Sequence, residues 1–318
     1  MSAEKGKEVI RIEAAAVAAL EERLDKDFER ALDIIFHSKG RIIVSGMGKS
    51  GIVAKKIAAT LSSTGTPAIF LHPVEGVHGD MGVVQRNDVV IAISKSGNTD
   101  ELYQLVPLFK RMGIPIITLT GNRDSPLAKR SDVVLDVSVR EEACPYDLIP
   151  TASTTATVAM GDALAIALLH RRDFSPEDFA LLHPGGALGR RLLLTVEDVM
   201  LTDDEVPIVD EDFSMEKTIL EMTAKRGVTS VVDRNGTLVG IFVYGDLGRL
   251  LEKTKDIFDK KVREVMIRDP KTITQDRLAA EALQLMEEYG ITSLVVIDAE
   301  RRPIGIVHLH DIMRAGVY

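Results

Sequence analysis

The chain has no tryptophan, and aromatic residues make up only 4% of its 318 residues, so it offers few platforms on which nucleobases could stack. Cysteine occurs once, at Cys144, which excludes an internal disulfide framework and suits a reducing, cytoplasmic setting. No apolar run approaches the ~18 residues of a membrane span, so no membrane partner is expected. The stretch from Met1 to Arg11 is charged and lacks the apolar segment of a secretory signal. Basic residues are outnumbered, and the net charge of −9 argues against nucleic acid, whose binders carry a basic face. A small anion is not excluded, because a local cluster of N–H dipoles and one lysine outweighs distant charge. No pair of His or Cys stands at ligand spacing on one helix or hairpin, so no metal is expected.

What is present points to a layered α/β unit. Hydrophobic residues reach 45%, enough for a full core, and the length suits two or three domains. From Glu8 to His37 apolar residues recur at helical spacing, as one long amphipathic helix or two. Apolar runs then alternate with helical stretches. Strands are expected at Arg41–Ser45, Ala68–Leu71, Val89–Ser94, Pro115–Thr120 and Val133–Val137, and helices at Ser50–Ser63, Thr99–Met112 and Thr151–Arg171. This alternation predicts a doubly wound parallel sheet, whose ligands sit at the carboxyl ends of its strands.

Two hydroxyl- and glycine-rich turns fall at such ends. Ser94-Lys95-Ser96-Gly97-Asn98-Thr99 follows Val89–Ile93, and Ser45-Gly46-Met47-Gly48-Lys49-Ser50-Gly51 follows Ile42–Val44. A turn of this kind opening a helix gathers free N–H groups, hydroxyls and a positive helix end, which is the chemistry that binds a phosphate monoester. Gly48-Lys49-Ser50 is not a nucleotide P-loop, because the glycine that motif requires upstream falls instead within the apolar strand. A lysine beside the positive end of its own helix is unfavourable unless it faces a ligand, so Lys49 is read as ligand-facing.

Other candidates keep two readings. Glu101 lies in the first turn of a helix, where an acidic residue is favoured whatever the function. Glu141-Glu142, before Cys144-Pro145, reads by default as a solvated loop. His78 and His183 stand among glycines and a proline rather than on apolar faces, which disfavours core filling without proving chemistry.

The last third is an internal repeat. Val196-Glu197-Asp198-Val199-Met200 recurs as Val262-Arg263-Glu264-Val265-Met266, and Gly227-Val228-Thr229-Ser230 as Gly290-Ile291-Thr292-Ser293. Gly240–Asp246 recurs as Gly305–Asp311. Each copy reads as helix, strand, turn, strand, helix, too small for a core of its own unless packed face to face with the other. The domains are placed at residues 1–192, 193–257 and 258–318.

Together these motifs resemble a known family. Ser94–Thr99 is similar to the Ser-x-Ser-Gly-x-Thr phosphate turn of the sugar isomerase (SIS) domain. Glu75–Gly82, Glu142–Pro145, Thr151–Ala156 with Met160–Ala163, and His183–Gly189 resemble the bacterial D-arabinose-5-phosphate isomerases. The repeat resembles a tandem pair of CBS domains. The resemblance implies a flavodoxin-like SIS sheet followed by an α+β CBS pair. It implies interconversion of D-ribulose 5-phosphate and D-arabinose 5-phosphate through an enediolate, with no cofactor, supplying 3-deoxy-D-manno-octulosonate (Kdo) for lipopolysaccharide or capsule. Carried over, it sets Lys49 beside the substrate oxygens, Glu101 and Glu142 as acid/base carboxylates, and His78 and His183 as ring-opening or proton-relay groups. Glu142 is favoured as the C–H base, since Glu101 is tied to the phosphate turn. Ser45, Gly46, Ser94, Ser96, Gly97 and Thr99 are expected around the phosphate.

The family also implies a homotetramer with active sites between subunits. In the CBS half, Val243 and His308 replace the hydroxyls that meet nucleotide phosphate in adenine-binding pairs, while Asp246 and Asp311 remain. A structural or tetramerising role is therefore favoured there over a nucleotide-type regulator. The alternatives to the enzyme are a phosphosugar sensor without turnover and an isomerase of another sugar phosphate.

Overall fold

The computed structural model describes residues 2–254 and 256–318, which divide into two units, one ending at Phe179 and the other beginning at Ala180. The N-terminal amphipathic stretch resolves into α1 (Ser2–Ala18) and α2 (Lys26–His37). The break falls where Asp25 caps α2 by accepting the N–H of Asp27, 2.8 Å.

The first unit is built on five parallel strands: β1 (Ile42–Gly46), β2 (Ala68–Leu71), β3 (Val89–Ile93), β4 (Ile116–Thr120) and β5 (Val133–Asp136). Their order is β2-β1-β3-β4-β5. β1, β3 and β4 are buried along their whole length, which is why they read as continuous rather than alternating apolar runs. Helices α3 (Gly48–Ser63) and α7 (Ala152–Arg171) join α2 on one face, where Leu32, Ile57, Leu61 and Leu164 meet Ile42, Val44 and Ile91. α5 (Asp100–Met112) covers the other, with Leu105 and Phe109 against Ile43, Val90 and Ile116. Between them in sequence lie the short α4 (Pro73–Val77) and α6 (Pro126–Lys129).

α7 begins one residue later than expected, with Thr151 as its flanking residue. Gly161 lets it lie close on α3, since a Cβ there would stand 2.4 Å from Ile57 Cδ1. By length and composition α7 could cross a membrane, contrary to the sequence expectation, but half of it is buried inside this unit.

The chain leaves β1 toward β2 on one side and returns to β3 on the other. This reversal opens a crevice at the carboxyl ends of β1 and β3. Both hydroxyl-rich turns start there, at Gly46 and Ile93.

In the second unit, α8 (Pro176–Leu182), which spans the division, is followed by α9 (Ala187–Leu193). α9 is held by the C-terminal repeat, where Arg190 Nε donates to Gly316 O at 3.4 Å and Ala279 N to Leu194 O at 2.8 Å. The two repeats show the expected helix–strand–strand–helix order. The first is α10 (Met215–Ala224), β7 (Val228–Val232), β8 (Leu238–Val243) and α11 (Tyr244–Lys253), preceded by β6 (Ile208–Asp210). A short β9 (Ile267–Arg268) and β10 (Thr272–Ile273) lead to α12 (Ala279–Tyr289), β11 (Ser293–Ile297), β12 (Pro303–His308) and α13 (Leu309–Arg314). The repeats meet through Val228, Leu238 and Ile241 against Val295 and Ile306.

Their leading segments are exchanged. Val262 and Met266 pack in the core of the first repeat with Val209, Met222 and Phe242, and β9 pairs with β8. Val196, Val199 and Met200 pack in the core of the second, and Leu201 bridges to Ile306.

Candidate active site

The turn after β3 is shaped by its own side chains. Gly97 has φ +67°, and a Cβ there would stand 1.9 Å from Ser125 Oγ, so only glycine fits. Ser94 is buried, and its hydroxyl accepts the Gly97 N–H at 3.0 Å and lies 2.7 Å from Thr99 Oγ1. Ser96 Oγ accepts the Asn98 N–H at 3.2 Å. Thr99 flanks α5 without capping it, leaving the first-turn N–H groups of that helix with no helical acceptor. The result is a hydroxyl-rich turn at a positive helix end, the chemistry that suits a phosphate.

The turn after β1 differs from expectation at one residue. Ser45 is fully buried and its hydroxyl donates to Leu71 O at 2.6 Å, so it ties β1 to β2 rather than facing an anion. Gly46 lies under the start of α3, where a Cβ would come within 2.9 Å of the Ser50 carbonyl. Lys49, in the first turn of α3, is exposed and lines a cavity of about 310 Å³ together with Ser50, Ile93, Lys95 and Ser153.

Glu142 overturns the solvated-loop reading. Its side chain is wholly buried after β5, against the start of α7. Oε2 accepts the N–H of Thr151 at 2.8 Å, the N–H of Ser153 at 3.1 Å and the Thr151 hydroxyl at 3.2 Å. Lys95 Nζ stands 2.7 Å from Oε1. Burial pushes the carboxyl pKa up, but the Lys95 ammonium and the Ser153 and Thr151 donors outweigh it and hold the pKa at about 2.

Glu101 is half-buried in the first turn of α5. His78 is exposed just past α4, its backbone N–H on Val74 O at 3.2 Å. His183 belongs to the second unit, between α8 and α9, where its carbonyl accepts the Gly186 N–H at 3.0 Å. Sequence reasoning missed Lys95 as a partner of Glu142, although its place between the two turn serines was a signal. It also missed the donors Thr151 and Ser153. His72, at the end of β2 before Pro73, was missed as well, and its Nδ1 is buried without a hydrogen-bond partner among the described residues.

In the repeats, Asp246 Oδ2 accepts the Val243 N–H at 3.1 Å and the residue pairs with Arg249. Asp311 pairs across the repeats with Arg226 at 3.3 Å, and its Oδ2 has no hydrogen-bond partner among the described residues. Burial, helped by neighbouring His310, holds the His308 pKa below the usual histidine range.

A hydroxyl-rich turn thus lies at the switch point of a sheet ordered as in flavodoxin-like folds, and a paired repeat follows it in sequence. The SIS domain family matches residues 34–167, and the CBS domain family matches residues 196–253 and 262–318. The arabinose 5-phosphate isomerase KdsD of Pseudomonas aeruginosa is 53% identical over 97% of this chain and 95% of its own length. The enzyme of that name from Francisella tularensis is 47% identical over 96% of this chain and 95% of its own. An Escherichia coli CFT073 protein solved in complex with arabinose 5-phosphate is 40% identical, with TM-score 0.53 over 56% of this chain and 95% of that one. The chain belongs to the arabinose 5-phosphate isomerase family.

Proposed function

We propose that the chain interconverts D-ribulose 5-phosphate and D-arabinose 5-phosphate, supplying Kdo synthesis for lipopolysaccharide or capsule. The observation that carries this reading is the likeness to the Pseudomonas aeruginosa isomerase along nearly the whole chain. The switch-point cavity lined by Lys49 and Lys95, with Lys95 itself set in the hydroxyl turn and paired with the buried Glu142, supports it chemically. The substrate phosphate sits on the turn through Ser94, Ser96, Gly97, Thr99 and the α5 N-terminus, with Gly46 flanking it. Lys49 stabilises the oxyanion that develops as the C1–C2 enediolate forms. Glu101 and Glu142 move the carbon- and oxygen-bound protons, and His78 and His183 serve ring opening or proton relay.

The working enzyme is proposed to be a cytoplasmic homotetramer with active sites at subunit interfaces. The CBS pair is a structural module, or takes a nucleotide-type regulator at Asp246 and Asp311. Incubating the purified protein with D-ribulose 5-phosphate and assaying D-arabinose 5-phosphate tests the activity. Sedimentation tests the assembly. A protein that binds the ketose phosphate without turnover is a sensor, and the isomerase reading then fails.

A further inference from the structure

A general base works best with a pKa near the working pH, and a carboxylate clamped at about 2 takes a carbon-bound proton poorly. The clamp has two halves. Oε2 is committed to the start of α7 through the N–H groups of Thr151 and Ser153, which belong to the scaffold. Oε1 is buried and accepts no directed hydrogen bond among the described residues, and its neighbour is the Lys95 ammonium at 2.7 Å. Asp147 of the same loop takes the Glu142 backbone N–H on Oδ1 at 3.0 Å, Arg140 and Glu141 line a cavity that Lys95 also lines, and the first turn of α7 carries no charged residue.

Lys95 is itself the second residue of the phosphate turn, and its side chain is 49% exposed. It lines both the cavity of about 310 Å³ that holds Lys49 and a cavity of about 130 Å³ on the side of Asp147. Its ammonium rests on the buried carboxylate while its exposed side borders the space that holds Lys49. A sugar phosphate brings close to two negative charges to that space, against one on Glu142.

We propose that Lys95 is a positioning residue that restrains Glu142 in the empty site and is drawn off it by the phosphate of the arriving substrate, so that Glu142 becomes a base only when the site is filled. This rests on the phosphate-turn and acid–base reading above. With Lys95 gone, Oε1 takes the proton from C1, the C–H electron pair forms the C1–C2 double bond as the C2 carbonyl becomes the oxyanion, the O1 hydroxyl proton passes to O2 through Glu101, and Oε1 returns its proton to C2 as C1 becomes the aldehyde carbonyl. Protonation of Glu142 by bulk solvent in the empty enzyme is suppressed, because the ammonium holds the carboxylate ionised.

The test reads the carboxyl group directly. Carbon-13 NMR of the full chain labelled at glutamate Cδ follows the titration of Glu142, assigned by its loss in Glu142→Gln. Inorganic sulfate serves as the probe, since it stays a dianion to far lower pH than a phosphate monoester, whose second pKa is about 6. Sulfate is expected to raise the Glu142 pKa in the unsubstituted protein by about 1 to 3 units, the size of a neighbouring cation's effect. In Lys95→Met the pKa is expected to start that much higher and to respond no further. Lys95→Arg is expected to keep the sulfate response. The backbone carbonyl of Lys95, which accepts the Gly121 N–H at 2.9 Å, is untouched by these side-chain changes, so the turn is retained. No sulfate response in the unsubstituted protein overturns the proposal, and so does an equal response in Lys95→Met. Because the readout needs no turnover, failure of the isomerase assay and failure of the restraint are distinguishable.

Discussion

The carboxylate of Glu142 and the backbone N–H of Ser153 meet at 3.1 Å, so a residue from the loop after β5 closes the N-terminus of α7. The bond joins the proposed base to the backbone that starts α7. A carboxylate whose folded pKa is depressed contributes stability above its ordinary value of 4.5, and the contribution is lost as pH falls through that value toward about 2. Glu142→Gln is therefore expected to flatten the acid-stability curve between these limits in urea unfolding at stepped pH. It is also expected to collapse turnover while leaving sugar-phosphate binding largely intact. Near-normal turnover in this variant removes Glu142 from the base role.

Thr99 presents a hydroxyl at the phosphate turn without capping α5. If Thr99 holds the substrate phosphate as proposed, Thr99→Val removes one hydrogen bond to a charged group, worth about 1.5–3 kcal/mol. The expected result is a KM raised roughly 10- to 100-fold, with thermal stability little changed. Steady-state kinetics with calorimetry checks it.

Gly97 combines a left-handed backbone with a Cβ position filled by Ser125. Gly97→Ala is expected to cost roughly 1–3 kcal/mol from the backbone alone, and to abolish phosphate binding because the turn must open. Denaturant unfolding and isothermal titration with inorganic phosphate read the two effects separately.

How far the sequence was legible differs between strands and side chains. The buried runs at Ile42–Val44 and Val89–Ile93 could be read because central parallel strands need apolar residues on both faces. The turns could be read because they follow those runs directly. Ser45 could not, since its hydroxyl is claimed by Leu71 of a strand that becomes its neighbour only in the fold. Glu142 looked like a loop residue because its burial depends on a tertiary closure between the segment after β5 and α7. The repeat pattern was plain, but not the exchange of its leading segments, because identical periodicity fits either pairing.

That exchange has a consequence at the glycines facing the methionines. A Cβ on Gly305 would stand 2.6 Å from Met200 Sδ and 3.0 Å from Leu201 O, as one on Gly240 would stand 2.4 Å from Met266 Sδ and 3.0 Å from Ile267 O. Gly305→Ala is expected to loosen the second repeat by about 1–3 kcal/mol, the usual cost of overpacking, with kcat unchanged. Hydrogen exchange at β11 and β12 measures it.

The central claim is that the switch-point site isomerises a pentose 5-phosphate by proton transfer between neighbouring carbons. Proton NMR of the purified protein with D-ribulose 5-phosphate in D2O, without added metal or cofactor, tests it most directly. The expected result is D-arabinose 5-phosphate carrying deuterium at C2, to the extent that the base exchanges with solvent. An unchanged ketose spectrum, with binding still detectable, contradicts the claim.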